Sequence, residues 1–173
     1  MAQQTIKDAI GAQIQALLQA LVTTPPAAPG PLSLVQRPVS GGMMSSPQNQ
    51  SCYILQGNLR APEDELRDSS GEHTIVTAIQ PYDLNLFAVQ SDSATTPVDS
   101  ILNQMEAAVR AAILTDDADN IGPSLPTLDL CEVWFDPLVT YFRNAQNANI
   151  FGVALKLLVE FRHPQNCLYL PTE

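Results

Sequence analysis

The sequence predicts an α+β fold: a small antiparallel sheet packed against helices, in a single domain with a long Pro-rich N-terminal loop. Three observations predict it. Residues 97–114 carry an unbroken apolar stripe at helical period. Residues 150–163 alternate apolar and polar side chains, the signature of a half-buried strand. The order of elements is helix, long loop, strands, helix, hairpin, with no repeat at a fixed period.

Residues 5–22 read as the N-terminal helix, with Ile6, Ala9, Ile10, Ile14, Leu17, Leu18 and Leu21 forming its apolar stripe. Thr5 followed by Asp8 is a loose capping box, with Asp in place of the usual Glu. Thr23-Thr24-Pro25-Pro26 ends the helix, because proline cannot continue one. Residues 23–51 are then a long irregular loop with six prolines and three glycines. Loops longer than about 12–15 residues are usually functional or disordered. A short extended piece is expected within it at Val39–Met44.

Residues 52–163 are expected to hold the sheet and the central helix, with 164–173 as a C-terminal tail. Cys52 to Gly57 reads as a strand, and the charged run 60–72 as an exposed hairpin loop. A second strand spans 73–80, Pro81-Tyr82-Asp83 breaks it, and Leu84 to Gln90 is a further extended segment. The central helix takes Thr96 as N-cap and Pro97 as its first residue. Val98, Ile101, Leu102, Met105, Ala108, Val109, Ala112 and Ile113 are its core stripe. A loop at 115–130 leads to a strand around Cys131, Val133 and Phe135. Pro137 marks a bulge or an edge in it, and Leu138 to Phe142 continue it. Residues 143–149 are a polar turn, and Val153, Leu155, Leu157, Val159 and Phe161 form the buried face of the closing strand.

A chain of 173 residues is long enough to fold without disulfides or metals. Charged residues are only 15%, against an average of about 25%. Gln, Asn, Ser, Thr and 14 prolines cover the surface instead, and such a surface suits contact with other protein. The net charge of −10, with Lys7 and Lys156 the only lysines, argues against nucleic-acid binding through phosphate contacts and against binding to anionic lipid. Gln and charged residues interrupt 1–22, so it does not read as a signal peptide, and no run of about 18 apolar residues predicts a membrane span.

Little in the sequence carries chemistry. Cys52, Cys131 and Cys167 are widely spaced and read as free thiols. A nucleophile pair of Cys52 or Cys131 with His73 is the enzymatic alternative, while His73 and His163 both read as surface residues rather than bases. From Asp117, a calcium loop finds Asp119 and Gly122 in place but Ile121 and Leu128 where ligands belong. Glu63-Asp64-Glu65 reads as a loop tip. Gly41-Gly42 lacks the lysine of a phosphate loop. Trp134 and Tyr141 read as packing residues, with no basic residues interleaved. No catalytic, cofactor-binding or metal-binding residue is assigned.

The helix Thr5 to Val22, the long loop to Cys52-Tyr53-Ile54-Leu55, the strand His73 to Gln80, the helix Val98 to Leu114 and the closing run Phe151 to Arg162 form an order that resembles the tail terminator and tail-completion (head–tail joining) proteins of tailed bacteriophages. The likeness covers most of the chain and rests on patterns rather than on invariant residues. It implies a virion protein, assembled in the host cytoplasm, that is neither an enzyme nor a membrane protein. Its subunits would form a hexameric ring capping the head-proximal end of the tail tube. The implied partners are further copies, the tail tube protein and the neck or connector proteins. DNA would pass through the ring without specific binding. The alternative is an adaptor module elsewhere in a virion or injection machine.

Overall fold

A computed structural model describes residues 5–22, 31–38, 47–60, 75–91, 95–114, 129–145 and 147–164. Two helices, α1 (Ile6–Gln19) and α2 (Val98–Ile113), accompany six strands: β1 (Leu34–Gln36), β2 (Ser51–Gln56), β3 (Ile75–Val89), β4 (Asp129–Phe135), β5 (Thr140–Arg143) and β6 (Ile150–Pro164). The strands form one sheet in the order β1-β2-β3-β6-β4, and β5 also pairs with β6. The α+β class is as the sequence predicts. The sheet is mixed, however, because β1 runs parallel to β2 while every other pairing is antiparallel.

α1 starts where the capping pattern places it. Asp8 N–H donates to Thr5 Oγ1 at 3.1 Å, and the Thr5 hydroxyl donates to Asp8 Oδ2 at 2.7 Å. Ile6, Ala9, Ile10, Ile14 and Leu18 are buried, so the apolar stripe faces the core. α2 starts one residue later than predicted. Pro97 is the cap, no side chain bonds the first turn, and the Pro97 carbonyl accepts from Ile101 N–H. Leu102, Met105, Val109 and Ile113 are its buried stripe.

The long N-terminal loop is tied into the sheet in its middle. Val22 and Leu32 form a parallel bridge, and Leu34–Gln36 pairs with Ser51–Tyr53. The expected extended piece at 39–44 lies outside the described residues. Arg37 fastens the same stretch to α1, donating to the Asp8 carbonyl at 3.2 Å and pairing with its Oδ1 at 3.4 Å. The guanidinium lies flat on Gly11, where an added Cβ would come within 2.8 Å of Cζ. A side chain at position 11 would therefore push the guanidinium away. Tyr82 OH donates to the Lys7 carbonyl at 2.6 Å and joins the helix to the sheet.

Pro81 does not break β3. The strand runs unbroken from Ile75 to Val89, in register with β6 throughout. Gly57 N–H donates to Pro81 O at 2.9 Å, so Pro81 faces β2, and its nitrogen has no proton to return. Gln80 supplies one instead: its Nε2 donates to Gly57 O at 2.8 Å and to Pro81 O at 2.9 Å. Gln80 is fully buried, and its Oε1 has no partner among the described residues.

Pro137 sits where a bulge was expected. Phe135 faces Leu157 and Thr140 faces Ala154, so four residues, 136–139, span a stretch that two cover on β6. Asp136 holds the excursion: its N–H donates to Lys156 O at 2.9 Å, and its Oδ1 accepts from Leu138 N–H at 2.8 Å. β4 and β5 are thus one interrupted strand along the outer side of β6.

Both helices cover the same face of the sheet. Cys52, Ile54, Ala78, Tyr82, Leu84, Leu86, Val153, Leu155, Leu157, Val159 and Phe161 lie under them in one core. The expected loops at 60–72 and 115–130 fall outside the described residues, save Arg60 and the first two residues of β4. Residues 61–72 and 115–128 hold eight of the acidic residues: Glu63, Asp64, Glu65, Asp68, Glu72, Asp116, Asp117 and Asp119. Segment 61–74 joins Arg60 to Ile75, and segment 115–128 joins Leu114 to Asp129. Ile75 pairs with Pro164 and Asp129 with Arg162, so both segments attach at one end of the sheet.

Candidate functional site

The face of the sheet opposite the helices is uncovered among the described residues, and it is the surface with the most features. At one end, Tyr53, Phe87 and Ile150 form a second buried cluster, with Leu34, Val89 and Phe142 around it. The rings stand edge to face, Tyr53 to Phe87 at 5.8 Å and Phe87 to Phe142 at 5.5 Å between centroids. Phe142 reaches Phe87 by lying directly on Gly152, where a Cβ would run into the ring. The glycine in β6 is required by that close approach.

Beyond the aromatic cluster the face turns polar. Asp83 lies opposite Lys156, and Thr77 opposite Arg162. Beside the 136–139 bulge lies an open groove of about 300 Å³, lined by Asp83, Asn85, Asp136, Leu138, Thr140, Ala154, Leu155 and Lys156. Leu138, at its rim, is 73% exposed, and Tyr141 on β5 is 55% exposed. Tyr141 is therefore not the packing residue the sequence predicts. Its hydroxyl reaches Glu106 Oε2 at 3.1 Å and Asn103 Oδ1 at 3.2 Å on α2. Partial desolvation raises its pKa, and the Glu106 carboxylate raises it further. Glu106 also pairs with Arg110 at 2.9 Å, and that guanidinium lies 4.7 Å from the Phe135 ring centre. Trp134 is half-buried on the open face, in register with Leu158.

The residues considered for chemistry are not brought together. Cys52 is fully buried in the core, and burial pushes its thiol up to about 12, so it stays protonated. Cys52 is level with Leu86 and Val153, while His163 lies ten residues further along β6. At about 3.3 Å per residue that is roughly 33 Å. His163 is not the surface residue the sequence suggests: it is buried, its ring tilted against Phe161 at 5.6 Å between centroids. His73, Cys167, the 116–119 acidic run, Glu63-Asp64-Glu65 and Gly41-Gly42 lie outside the described residues, as does the side chain of Cys131. Among the described residues, no group of three His, Cys, Asp or Glu side chains is placed to hold a metal ion. No described helix is long and apolar enough to cross a membrane.

Sequence reasoning missed Gln80, Gly152 and Leu138. A glutamine before a mid-strand proline and a glycine in an otherwise apolar strand were the available signals for the first two. Nothing local marks Leu138, because its exposure follows from the bulge.

No family model and no curated protein matches this chain. Among solved structures it is similar to a chain of the "Virion of native gene transfer agent (GTA) particle". The two are 13% identical, the alignment covers 92% of this chain and 96% of that one, and the TM-score is 0.38. A likeness of that degree carries no argument for function.

Proposed function

We propose that this chain is a structural subunit of a phage-like virion, one that forms a ring at the head-proximal end of the tail tube and joins the tail to the neck. The observation that carries this reading is a sheet whose helices shield one face and leave the other uncovered among the described residues. That open face carries an aromatic cluster around Phe87 beside a charged groove with Asp83, Asp136 and Lys156, a mixture suited to contact with a complementary protein surface. The order of elements that resembles the terminator family is the order of the fold. On this reading the chain turns over no substrate and holds no cofactor. An acidic subunit also suits a ring through which DNA slides without sticking.

An adaptor that docks as a single copy would use the same open face, and stoichiometry separates the two. The test is addition of the purified protein to tails that lack their cap. The ring reading expects six copies per tail at the head-proximal end and tails competent to join heads. Binding of one copy, or none, would reject it.

A further inference from the structure

We propose that two opposite edges of the sheet are the two halves of one contact between copies: the β5 edge of one subunit receives the Gln56–Arg60 edge of the next. This rests on the ring reading and names the surface that would close the ring.

β1 covers only Ser51–Tyr53 of β2. Among the described residues, nothing pairs with the outer side of β2 beyond Ile54, whose N–H is taken by Gln36 in the parallel register. Gly57 N–H donates inward to Pro81 O, so by strand alternation Gln56 and Ile54 turn their N–H and C=O groups outward. On the far side of the sheet, Asn144 N–H donates inward to Ile150 O. Tyr141 and Arg143 therefore turn theirs outward. The β2 edge thus offers the outward N–H and C=O of Gln56, and the β5 edge those of Tyr141 and Arg143, for adding one strand to the other.

The charges are complementary as well. The groove beside β5 holds two carboxylates, Asp83 and Asp136, against one ammonium, Lys156. The other edge ends in the exposed Arg60. A guanidinium entering the groove meets an excess carboxylate, with Leu138 and Ala154 beside its stem. Tyr141 is already held by α2, so less of its freedom is lost on contact. The partner is inferred to be a second copy because both halves lie on this chain. They lie on opposite edges, so the contact is head-to-tail, the kind that closes rings.

The test uses three variants of the full chain, with folding checked by circular dichroism. Leu138→Asp blocks the β5 edge. Arg60→Glu reverses the charge on the β2 edge, and Gln56→Pro removes an outward N–H there as a second probe. Light scattering should show the wild type assembling, and each variant needing at least about tenfold higher concentration to do so. Mixing a β5-edge variant with a β2-edge variant should restore one-to-one pairs and nothing larger, because each retains the half the other lacks. Wild-type assembly persisting in both variants overturns this contact and leaves the ring reading standing. So does a mixture that stays monomeric. A wild type that remains monomeric at every concentration also overturns the contact, and the ring reading is then judged by the tails alone.

Discussion

The side-chain amide of Gln80 stands in for the main-chain N–H that Pro81 lacks, donating to Gly57 O at 2.8 Å. An antiparallel pair exchanges two hydrogen bonds, and here one of them comes from the neighbouring side chain. Gln80→Met should therefore destabilise the fold by about 1–2 kcal/mol, a value moderated because the orphaned Oε1 goes too. Pro81→Ala restores the N–H, so in that background Gln80→Met should cost clearly less. Urea midpoints of the four proteins in the cycle measure the coupling. Equal costs in both backgrounds would show that the amide bond does not support the pair.

Gly152 makes room for Phe142, and any side chain there displaces the ring. Gly152→Ala should lower stability by about 1–3 kcal/mol through overpacking. Most of that loss should vanish in a Phe142→Ala background, where the ring that collides is gone. Thermal melting of the single and double variants checks this.

Burial raises the Cys52 pKa from 9.0 unfolded to about 12 folded. The folded state holds this proton more tightly, so its stabilising contribution is complete below pH 9 and is lost as pH rises toward 12. Cys52→Ala should flatten the fall in stability between pH 9 and 10. Above that, Tyr82, whose pKa is raised chiefly by burial, keeps a slope of the same sign. Denaturant titrations at stepped pH measure it. A thiol reagent added at pH 8 should label Cys52 only as fast as the protein opens.

Thr5 caps α1 through its hydroxyl. Thr5→Ala should cost about 1 kcal/mol and Thr5→Ser little, since serine keeps the acceptor. Urea unfolding distinguishes the two.

Much of the architecture is legible in the sequence because it rests on periodicity. The stripes of α1 and α2 and the alternation of β6 record which side of each element is dry. The break expected at Pro81 fails for a non-local reason: the missing N–H points at Gly57, and the remedy is a side chain that local rules count as polar. β1 was hidden because three residues are too few to show a period, and a parallel partner 17 positions away supplies the pairing. The candidate site was barely legible. Its groove is made by a bulge, and a bulge redirects side chains without changing their pattern in the sequence.

The segments carrying Glu63 to Glu72 and Asp116 to Asp119 both attach at the end of the sheet marked by Ile75 and Pro164. The opposite end is crossed by the uncharged-to-basic run Arg143 to Asn149. The points from which these acidic segments depart therefore share one end of the strands. The two ends of the sheet are not interchangeable, so copies assembled side by side with their strands aligned would make an object with a distinct top and bottom.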